Sequence, residues 1–318
     1  MSPGSLHRTR LAGRRRALVL GTLLVGSLTL TACGPSPSAS PKPGMIQAIG
    51  AESEYASVLS QLGGRYVQVS SVLNNPNSDP HTFEASASVA EEVSQAQLIV
   101  QNGVGYDTFM NVIEGGSPSS SRTVIVAQSV LGLPTDTPNP HLWYNPSTMP
   151  AVAKAITAAL VSIQPGHASY FEANLATFLT SLKPWFAAIA DFKARYGHTA
   201  VAVTEPVADY LLQAMGMQIE TPFVFQADIM NGVDPSPEDI SLEKGLITSR
   251  TVKVFCYNEQ VVDSLTISIR QTAISAGVPV VAVYETMPTP GYDYQSWMLA
   301  EVAAIQAAVA NGTSTQQL

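Results

Sequence analysis

Short apolar runs alternate with longer segments of helical periodicity along almost the whole chain. This alternation is typical of parallel sheets flanked by helices, because neighbouring parallel strands need a crossover connection long enough to hold a helix. The runs predict strands at 45–49, 66–73, 98–101, 123–127, 199–204, 252–257 and 278–284, and the longer segments predict helices at 54–62, 86–94, 150–163, 207–215, 259–276 and 296–311. The sequence therefore predicts an α/β fold whose sheets are mostly parallel.

An apolar stripe with helical spacing runs between Gly166 and Gly197. A helix of about 30 residues is roughly 45 Å long, which would span two lobes. Pro184 lies inside the stripe and is expected to kink the helix or remove one hydrogen bond. A coiled-coil dimer is the alternative, although the mixed aromatic residues favour packing along both lobes. The stripe consists of Phe171, Leu175, Phe178, Leu182, Trp185, Ile189, Phe192 and Tyr196.

These patterns divide the folded chain into three parts. Residues 45–165 are predicted to form an N-terminal α/β lobe, residues 166–197 a connector helix, and residues 198–318 a C-terminal α/β lobe. The 274 residues that begin at Met45 can bury a large core, and they suit two lobes better than one.

The first 32 residues have the features of an export signal. Residues 1–16 contain five arginines and no acidic residue. The apolar run that follows, at 17–30, is too short for a confident membrane-spanning helix. The sequence Leu30-Thr31-Ala32-Cys33 resembles a bacterial lipobox, which implies cleavage before Cys33 and a lipid on that residue. An uncleaved signal anchor is the alternative. Residues 33–44 are rich in proline and serine and are expected to form a tether, which places the mature protein outside the cytoplasm on the bacterial membrane.

Charge and cysteine content limit the possible partners. Loss of residues 1–32 leaves 11 basic and 24 acidic residues, a formal charge of −13, which disfavours nucleic acid as a partner. Cys256 is then the only cysteine besides Cys33, so no disulfide within the chain is expected and the core must supply the stability.

Two copies of one short pattern place histidines in matched settings. They are Asp79-Pro80-His81-Thr82-Phe83 and Asn139-Pro140-His141-Leu142-Trp143, in a chain with five histidines in all. Each proline fixes its own φ and favours an extended residue before it, so each histidine leaves a stiff turn. Either copy alone would fit a turn histidine packed beside an aromatic ring. Their recurrence favours a metal site that contains His81 and His141.

Two glutamates directly follow predicted strands. In open α/β sheets, ligands bind beyond the carboxyl ends of the strands. Glu205 follows the strand at 199–204, and Glu285 follows the strand at 278–284. Glu205 could instead cap a helix that begins near Pro206, and Glu285 could be a solvated loop acid.

The remaining acids and histidines near these motifs are expected to have supporting roles. Asp79, Glu84 and Glu259 are candidates for acceptors that hold the ligand imidazoles or their loops. His167 and His198 are expected to be ordinary structural residues.

From residue 45 to residue 311 the chain resembles the zinc/manganese solute-binding lipoproteins of metal ABC transporters, the cluster A-I receptors. The resemblance depends on the two histidine motifs, on Asn102-Gly103-Val104-Gly105-Tyr106-Asp107, on Asp234-Pro235-Ser236-Pro237-Glu238-Asp239 and on the connector helix. It implies His81, His141, Glu205 and Glu285 as the ligands of one Mn2+ or Zn2+ ion carried as cargo. Many zinc-dedicated members have histidine at the position of Glu205, which resembles the carboxylate version of manganese-type members. The fourth ligand is usually aspartate in the family, and Glu285 is one methylene longer. This chain also lacks the histidine-rich insert that zinc importers often have before His141.

The resemblance implies an extracytoplasmic receptor that captures the metal between two lobes and delivers it to the permease of an ABC importer. It implies a protein that is not an enzyme, is monomeric and is lipid-anchored. Two other classes remain open from the sequence. A metal-dependent hydrolase would keep an open coordination position for water, although no His-Glu-x-x-His motif is present. A surface adhesin of the same family requires no specific residues.

Overall fold

The computed structural model describes residues 42–77, 83–288 and 290–318. Their strands form two separate sheets of four strands each, and every strand pair in both sheets is parallel. Helices flank both sheets, so the predicted α/β class with mostly parallel sheets is confirmed.

The N-terminal sheet has the strand order β2-β1-β3-β4. Its strands are β1 (Ile46–Glu52), β2 (Val67–Leu73), β3 (Leu98–Gln101) and β4 (Thr123–Val126). Its helices are α1 (Ser53–Gly63), α2 (Ala87–Gln95), α3 (Thr108–Gly116), α4 (Ala127–Val130) and α5 (Thr148–Ile163).

The C-terminal sheet has the strand order β6-β5-β7-β8, so β7 lies between β5 and β8. Its strands are β5 (Ala200–Val203), β6 (Gln218–Ile219), β7 (Val254–Asn258) and β8 (Val280–Val283). Its helices are α8 (Asp209–Ala214), α9 (Phe223–Met230), α10 (Pro237–Thr248), α11 (Ser264–Ala276) and α12 (Tyr294–Asn311).

All seven predicted strands are present, each within a few residues of its predicted bounds. The sequence reading missed β6, which has two residues and no apolar run. It also missed the four-residue helix α4 and the longer helices α3, α9 and α10. The last three carry glycines or exposed apolar residues that obscure the helical period. Tertiary packing decides such short or weakly patterned elements.

The connector is two helices rather than one. The helices α6 (Ala168–Ser181) and α7 (Lys183–Tyr196) meet at Leu182. Pro184 is the second residue of α7, where its missing N–H cannot donate to the preceding turn. The sequence predicted one helix with a kink or one lost hydrogen bond at this proline, and the structure has two helices instead. The stripe faces the interior: α6 packs on α1 and α5, and α7 packs on α12.

One continuous core spans both sheets. Its buried residues include Leu98 of β3, Phe178 of α6, Val203 of β5 and Trp297 of α12. Smaller clusters lie on the outer faces of each sheet. Burial of the stripe within the same chain favours the packed connector over a coiled-coil dimer. Within the described ranges, no helix combines the length and apolar character that crossing a membrane requires.

Candidate metal centre

The structure brings three of the four predicted ligands together. His141 lies in the loop before a short 3-10 helix, Leu142–Tyr144, and the two glutamates lie two residues beyond the ends of β5 and β8. His141, Glu205 and Glu285 are each at most 2% exposed. His81, Asp79 and Cys33 lie outside the described residues.

His141 and Glu285 connect the N-terminal and C-terminal lobes. His141 Nε2 is 3.3 Å from Glu285 Oε2, and both side chains are fully buried. The phenol of Tyr106 also donates to Glu285 Oε2, at 3.0 Å. A nitrogen donor from one lobe therefore faces a carboxylate from the other.

Asn139 determines which nitrogen of His141 is available. The Asn139 amide nitrogen donates to the carbonyl of Pro206 at 2.7 Å, so its Oδ1 is turned toward His141. That oxygen accepts from the backbone N–H of His141 at 3.0 Å and lies 2.8 Å from the ring Nδ1. Nδ1 therefore carries the proton, and the lone pair of neutral His141 is on Nε2.

Asn258, the last residue of β7, holds both glutamates. Its amide nitrogen donates to Glu205 Oε1 at 3.1 Å and to Glu285 Oε1 at 2.7 Å. The loop after β7 supports Glu285 as well, because Gln260 Oε1 accepts from the backbone N–H of Glu285 and of Thr286, at 2.6 and 2.7 Å. The carboxylates of Glu205 and Glu285, called here the carboxylate pair, are thus tied to one amide.

Three further carboxyl groups lie buried on the N-terminal side. Burial, and then the charge of Asp107, raises the pKa of Glu52 well above its usual range. Burial raises the pKa of Glu54 to about 8, and the charge of Glu285 adds to the rise. Burial raises the pKa of Asp107 to about 6, although backbone N–H groups of Gly103 and Asn102 bond to its oxygens and oppose the rise. Burial thus disfavours the charged form of all three carboxyl groups.

Aromatic rings enclose the imidazole. Tyr106 and Trp143 both pack edge-to-face with His141, at centroid distances of 5.8 and 5.3 Å. These rings exclude water from the His141 side, and a lower local dielectric strengthens the attraction between the carboxylates and a cation.

The other sequence candidates lie away from this cluster or have different contacts. Glu84 is exposed. Glu259 forms an ion pair with Arg270 at 3.1 Å. Within the described ranges no contact supports its predicted role as an acceptor for a ligand imidazole. His167 stacks on Tyr66 at 3.7 Å, which is a packing role.

Glu205 is not a helix cap. The helix that follows it, α8, begins only at Asp209, and Ala208 is the residue at its N-cap. Pro206 therefore does not start a helix, contrary to the expectation from the sequence. Its carbonyl accepts from Asn139 instead, which links the Glu205 loop to the His141 loop.

The donor types fit a divalent transition metal. The cluster offers one imidazole nitrogen and two carboxylates, a set that suits Zn2+ and Mn2+. Among residues 42–77, 83–288 and 290–318, no three His, Cys, Asp or Glu side chains are already in position to bind one metal ion together. The Tyr106 hydroxyl donates to Glu285 Oε2 in this arrangement, so a cation at that oxygen requires the phenol to shift.

Sequence reasoning missed Asn139, Asn258 and Tyr106. Asn139 belongs to the repeated histidine motif, and Tyr106 belongs to a segment quoted for the family resemblance. Asn258 could have been found by the same strand-end rule that selected Glu205. The sequence analysis proposed the neighbouring Glu259 as a supporting acceptor, but successive residues of a strand point in opposite directions, and Asn258 faces the site.

Comparison with known proteins gives a consistent result. The sequence profile of the family described as "ZnuA: Zinc-uptake complex component A periplasmic" matches residues 51–308. The chain is 22% identical over 171 residues to the manganese-binding lipoprotein MntA of Bacillus subtilis (strain 168), which is 52% of this chain and 56% of that protein. The match therefore spans little more than half of this relative.

A longer match and a structural match cover more of the chain. The manganese ABC transporter substrate-binding lipoprotein PsaA of Streptococcus pneumoniae is 21% identical over 252 residues, which is 73% of this chain and 78% of PsaA. The periplasmic zinc-binding protein TroA from Treponema pallidum superposes with a TM-score of 0.70 at 17% identity, covering 85% of this chain and all of that chain, 100%. At this identity the superposition supports the fold alone.

Proposed function

The chain belongs to the ZnuA family of zinc-uptake components, and from this premise we propose that it is a receptor for Mn2+ or Zn2+ outside the cytoplasm. It captures the ion between its two lobes and delivers it to an ABC importer. His81, His141, Glu205 and Glu285 are the proposed ligands.

The meeting of His141 and Glu285 is the observation that carries this proposal. A fully buried imidazole and a fully buried carboxylate from different lobes lie 3.3 Å apart. The side-chain amide of Asn258 donates to this carboxylate and to that of Glu205. Buried charges are costly unless they are paired or coordinate a metal. A divalent cation would compensate both members of the carboxylate pair.

The family assignment and the donor set favour a receptor over a hydrolase. With His81, the four proposed ligands are enough to close a tetrahedral site, whereas a hydrolytic centre keeps one position for water. The relatives named above are described as binding or transport lipoproteins.

We propose further that Cys33 carries the lipid anchor and that the permease of the importer is the partner. The lipobox-like sequence before Cys33 and the lipoprotein names of the relatives support the anchor. A Cys33→Ala variant is expected in the soluble fraction with its metal binding unchanged. Membrane retention equal to that of the wild type would contradict the anchor.

Metal analysis of the purified protein tests the receptor function. Protein purified without added metal is analysed for its elements, stripped with a chelator and titrated with Zn2+ and Mn2+ by calorimetry. We expect one ion per chain in the wild type. His81→Ala and His141→Ala are expected to lose affinity by orders of magnitude, because each removes one of four ligands.

His167→Ala is the matched control, because His167 stacks on Tyr66 away from the cluster. It should bind metal as the wild type does. Unchanged binding in His141→Ala with a native circular dichroism spectrum would contradict the proposed site. A wild type that binds neither ion would contradict the function.

A further inference from the structure

Asn258 lies in the C-terminal sheet at a position from which its side chain reaches both members of the carboxylate pair. It ends β7, the strand between β5 and β8, and Glu205 and Glu285 follow those two neighbours. An amide nitrogen carries two hydrogens, and here one points to each carboxylate, at 3.1 and 2.7 Å. Each carboxylate therefore has one oxygen, Oε1, bound to the amide.

The amide itself is held in place. Asn258 is fully buried, and its backbone N–H donates to Thr204 Oγ1 at 3.0 Å. Its Oδ1 accepts from the backbone N–H of Gln260 at 3.0 Å, which decides which end of the amide faces the carboxylates. Neither end can rotate without breaking a buried hydrogen bond.

The two oxygens of Glu285 are thus given different surroundings. Oε1 accepts from Asn258, whereas Oε2 is the oxygen that faces His141 Nε2 at 3.3 Å and accepts from Tyr106. Both donor hydrogens oppose a cation, but only Oε2 lies beside a ligand nitrogen, so a cation at Oε2 gains His141 Nε2 in exchange for the Tyr106 hydrogen bond. A cation that also binds His141 is therefore directed to Oε2.

We propose that Asn258 is a specificity-determining positioning residue that restricts each member of the carboxylate pair to ligation through one oxygen. One-oxygen ligation keeps the two carboxylates at one coordination bond each, which suits the four-coordinate sites of Zn2+, whereas Mn2+ favours larger sets of oxygen ligands. Asn258 thus favours Zn2+ relative to Mn2+ at a site whose two carboxylates could otherwise bind through all four oxygens. This inference rests on the proposed function.

Asn258→Ala tests the proposal, because alanine cannot donate to either carboxylate. Dissociation constants for Zn2+ and Mn2+ are measured by competition with a chelator dye, and the ligand number of bound Zn2+ is measured by X-ray absorption. We expect Zn2+ affinity to fall by about 10- to 100-fold, as for other residues that orient metal ligands. Mn2+ affinity should fall less, so the preference for Zn2+ drops about tenfold. The ligand number should rise above four.

Asn258→Ser provides a second variant, since a hydroxyl has one hydrogen and can hold one carboxylate at a time. Its preference should lie between those of the wild type and Asn258→Ala, and it carries the test alone if the alanine variant does not fold. Asn231→Ala is the matched control, because Asn231 is exposed at the end of α9 and bonds only to the Ala227 carbonyl among the described residues. It should leave both affinities unchanged.

Equal losses of affinity for Zn2+ and Mn2+, with an unchanged number of ligands on bound Zn2+, would overturn the specificity role. Asn258 would then have a structural role only. Unchanged affinities in both variants would overturn it as well. In either case the wild type would still bind metal, so the proposed function would stand. A wild type that binds neither ion would overturn both proposals.

Discussion

At the scale of single residues, the candidate centre depends on amides as much as on charged groups. Asn139 directs His141 and Asn258 directs the carboxylate pair, and each uses both ends of its side chain. An amide can donate and accept at once, so it can fix a ligand without adding a charge to a buried region that already holds many acids.

Asn139→Ala is predicted to lower metal affinity by about 10- to 100-fold, since residues that orient a ligand imidazole have effects of this size. Loss of Oδ1 frees the ring of His141 to rotate and to move its proton to Nε2. Calorimetric titration measures the effect, and Asn139→Asp, which keeps an acceptor for Nδ1, should retain more affinity than the alanine variant. Equal affinities for the two variants would contradict the orienting role.

Glu301 should make stability depend on pH. Burial raises the pKa of this carboxyl to about 8, although Trp297 and Tyr144 donate to it and oppose the rise. The folded state therefore keeps a proton that the unfolded state releases above its ordinary carboxyl pKa of about 4.3. The stabilisation is complete below that value and is lost as the pH rises toward about 8.

Glu301→Gln, which is neutral at every pH, is predicted to remove this loss. Urea unfolding measures the free energy of unfolding at pH 5.5 and at pH 8. As the pH rises, this free energy should increase in the variant relative to the wild type by on the order of 1 kcal/mol per pH unit. Glu172→Gln on the exposed face of α6 is the control and should follow the wild type. A constant difference between Glu301→Gln and the wild type would contradict the raised pKa.

At the scale of elements, the junction between α6 and α7 shows how local and tertiary forces divide a single stripe. Pro184 breaks the helix, but it is exposed, whereas Leu182 at the junction is fully buried in the core. The proline determines where the break falls. The buried residue connects the junction to the rest of the protein.

Leu182→Ala is predicted to lower the free energy of unfolding by about 2–5 kcal/mol, as for other buried leucines. Leu175→Ala, at a half-buried position of the same stripe, should cost less. Pro184→Ala should change stability little, since packing of Leu182 and Trp185 keeps the junction in place while helix propensity improves. Urea denaturation measures all three, and a larger loss for Leu175→Ala than for Leu182→Ala would contradict the role of the junction.

At the scale of the whole molecule, buried contacts join the two lobes. The Tyr144 hydroxyl accepts from the Tyr284 backbone N–H at 3.3 Å, and the Tyr294 hydroxyl donates to the Trp143 carbonyl at 2.7 Å. The largest core cluster contains residues of both sheets. A shared core of this kind resists large separation of the lobes when a cation leaves.

We therefore predict a single cooperative thermal transition for the protein, with equal calorimetric and van't Hoff enthalpies. Zn2+ at about 100 times its dissociation constant should stabilise the folded state by about 2.7 kcal/mol and shift the whole transition. In His141→Ala the transition should remain single and lose its response to metal. Two separate transitions in differential scanning calorimetry would show that the lobes unfold independently.

The sequence by itself determined the class of fold, the positions of the seven long strands and an interruption of the helix near Pro184. These properties depend on local periodicity and on the backbone restrictions of proline, which act within a few residues. The strand-end rule likewise selected Glu205 and Glu285, because the carboxyl ends of parallel strands meet at one edge of a sheet.

Only the tertiary structure decided the two-residue strand β6, the shared core and the role of Asn258. These depend on which segments distant in the chain become neighbours. Asn258 and Glu259 are adjacent in sequence, yet one reaches Glu205 and Glu285 while the other pairs with Arg270. The strand order β5-β7-β8 puts the end of β7 between the two glutamates, and the alternation of side chains along the strand selects Asn258.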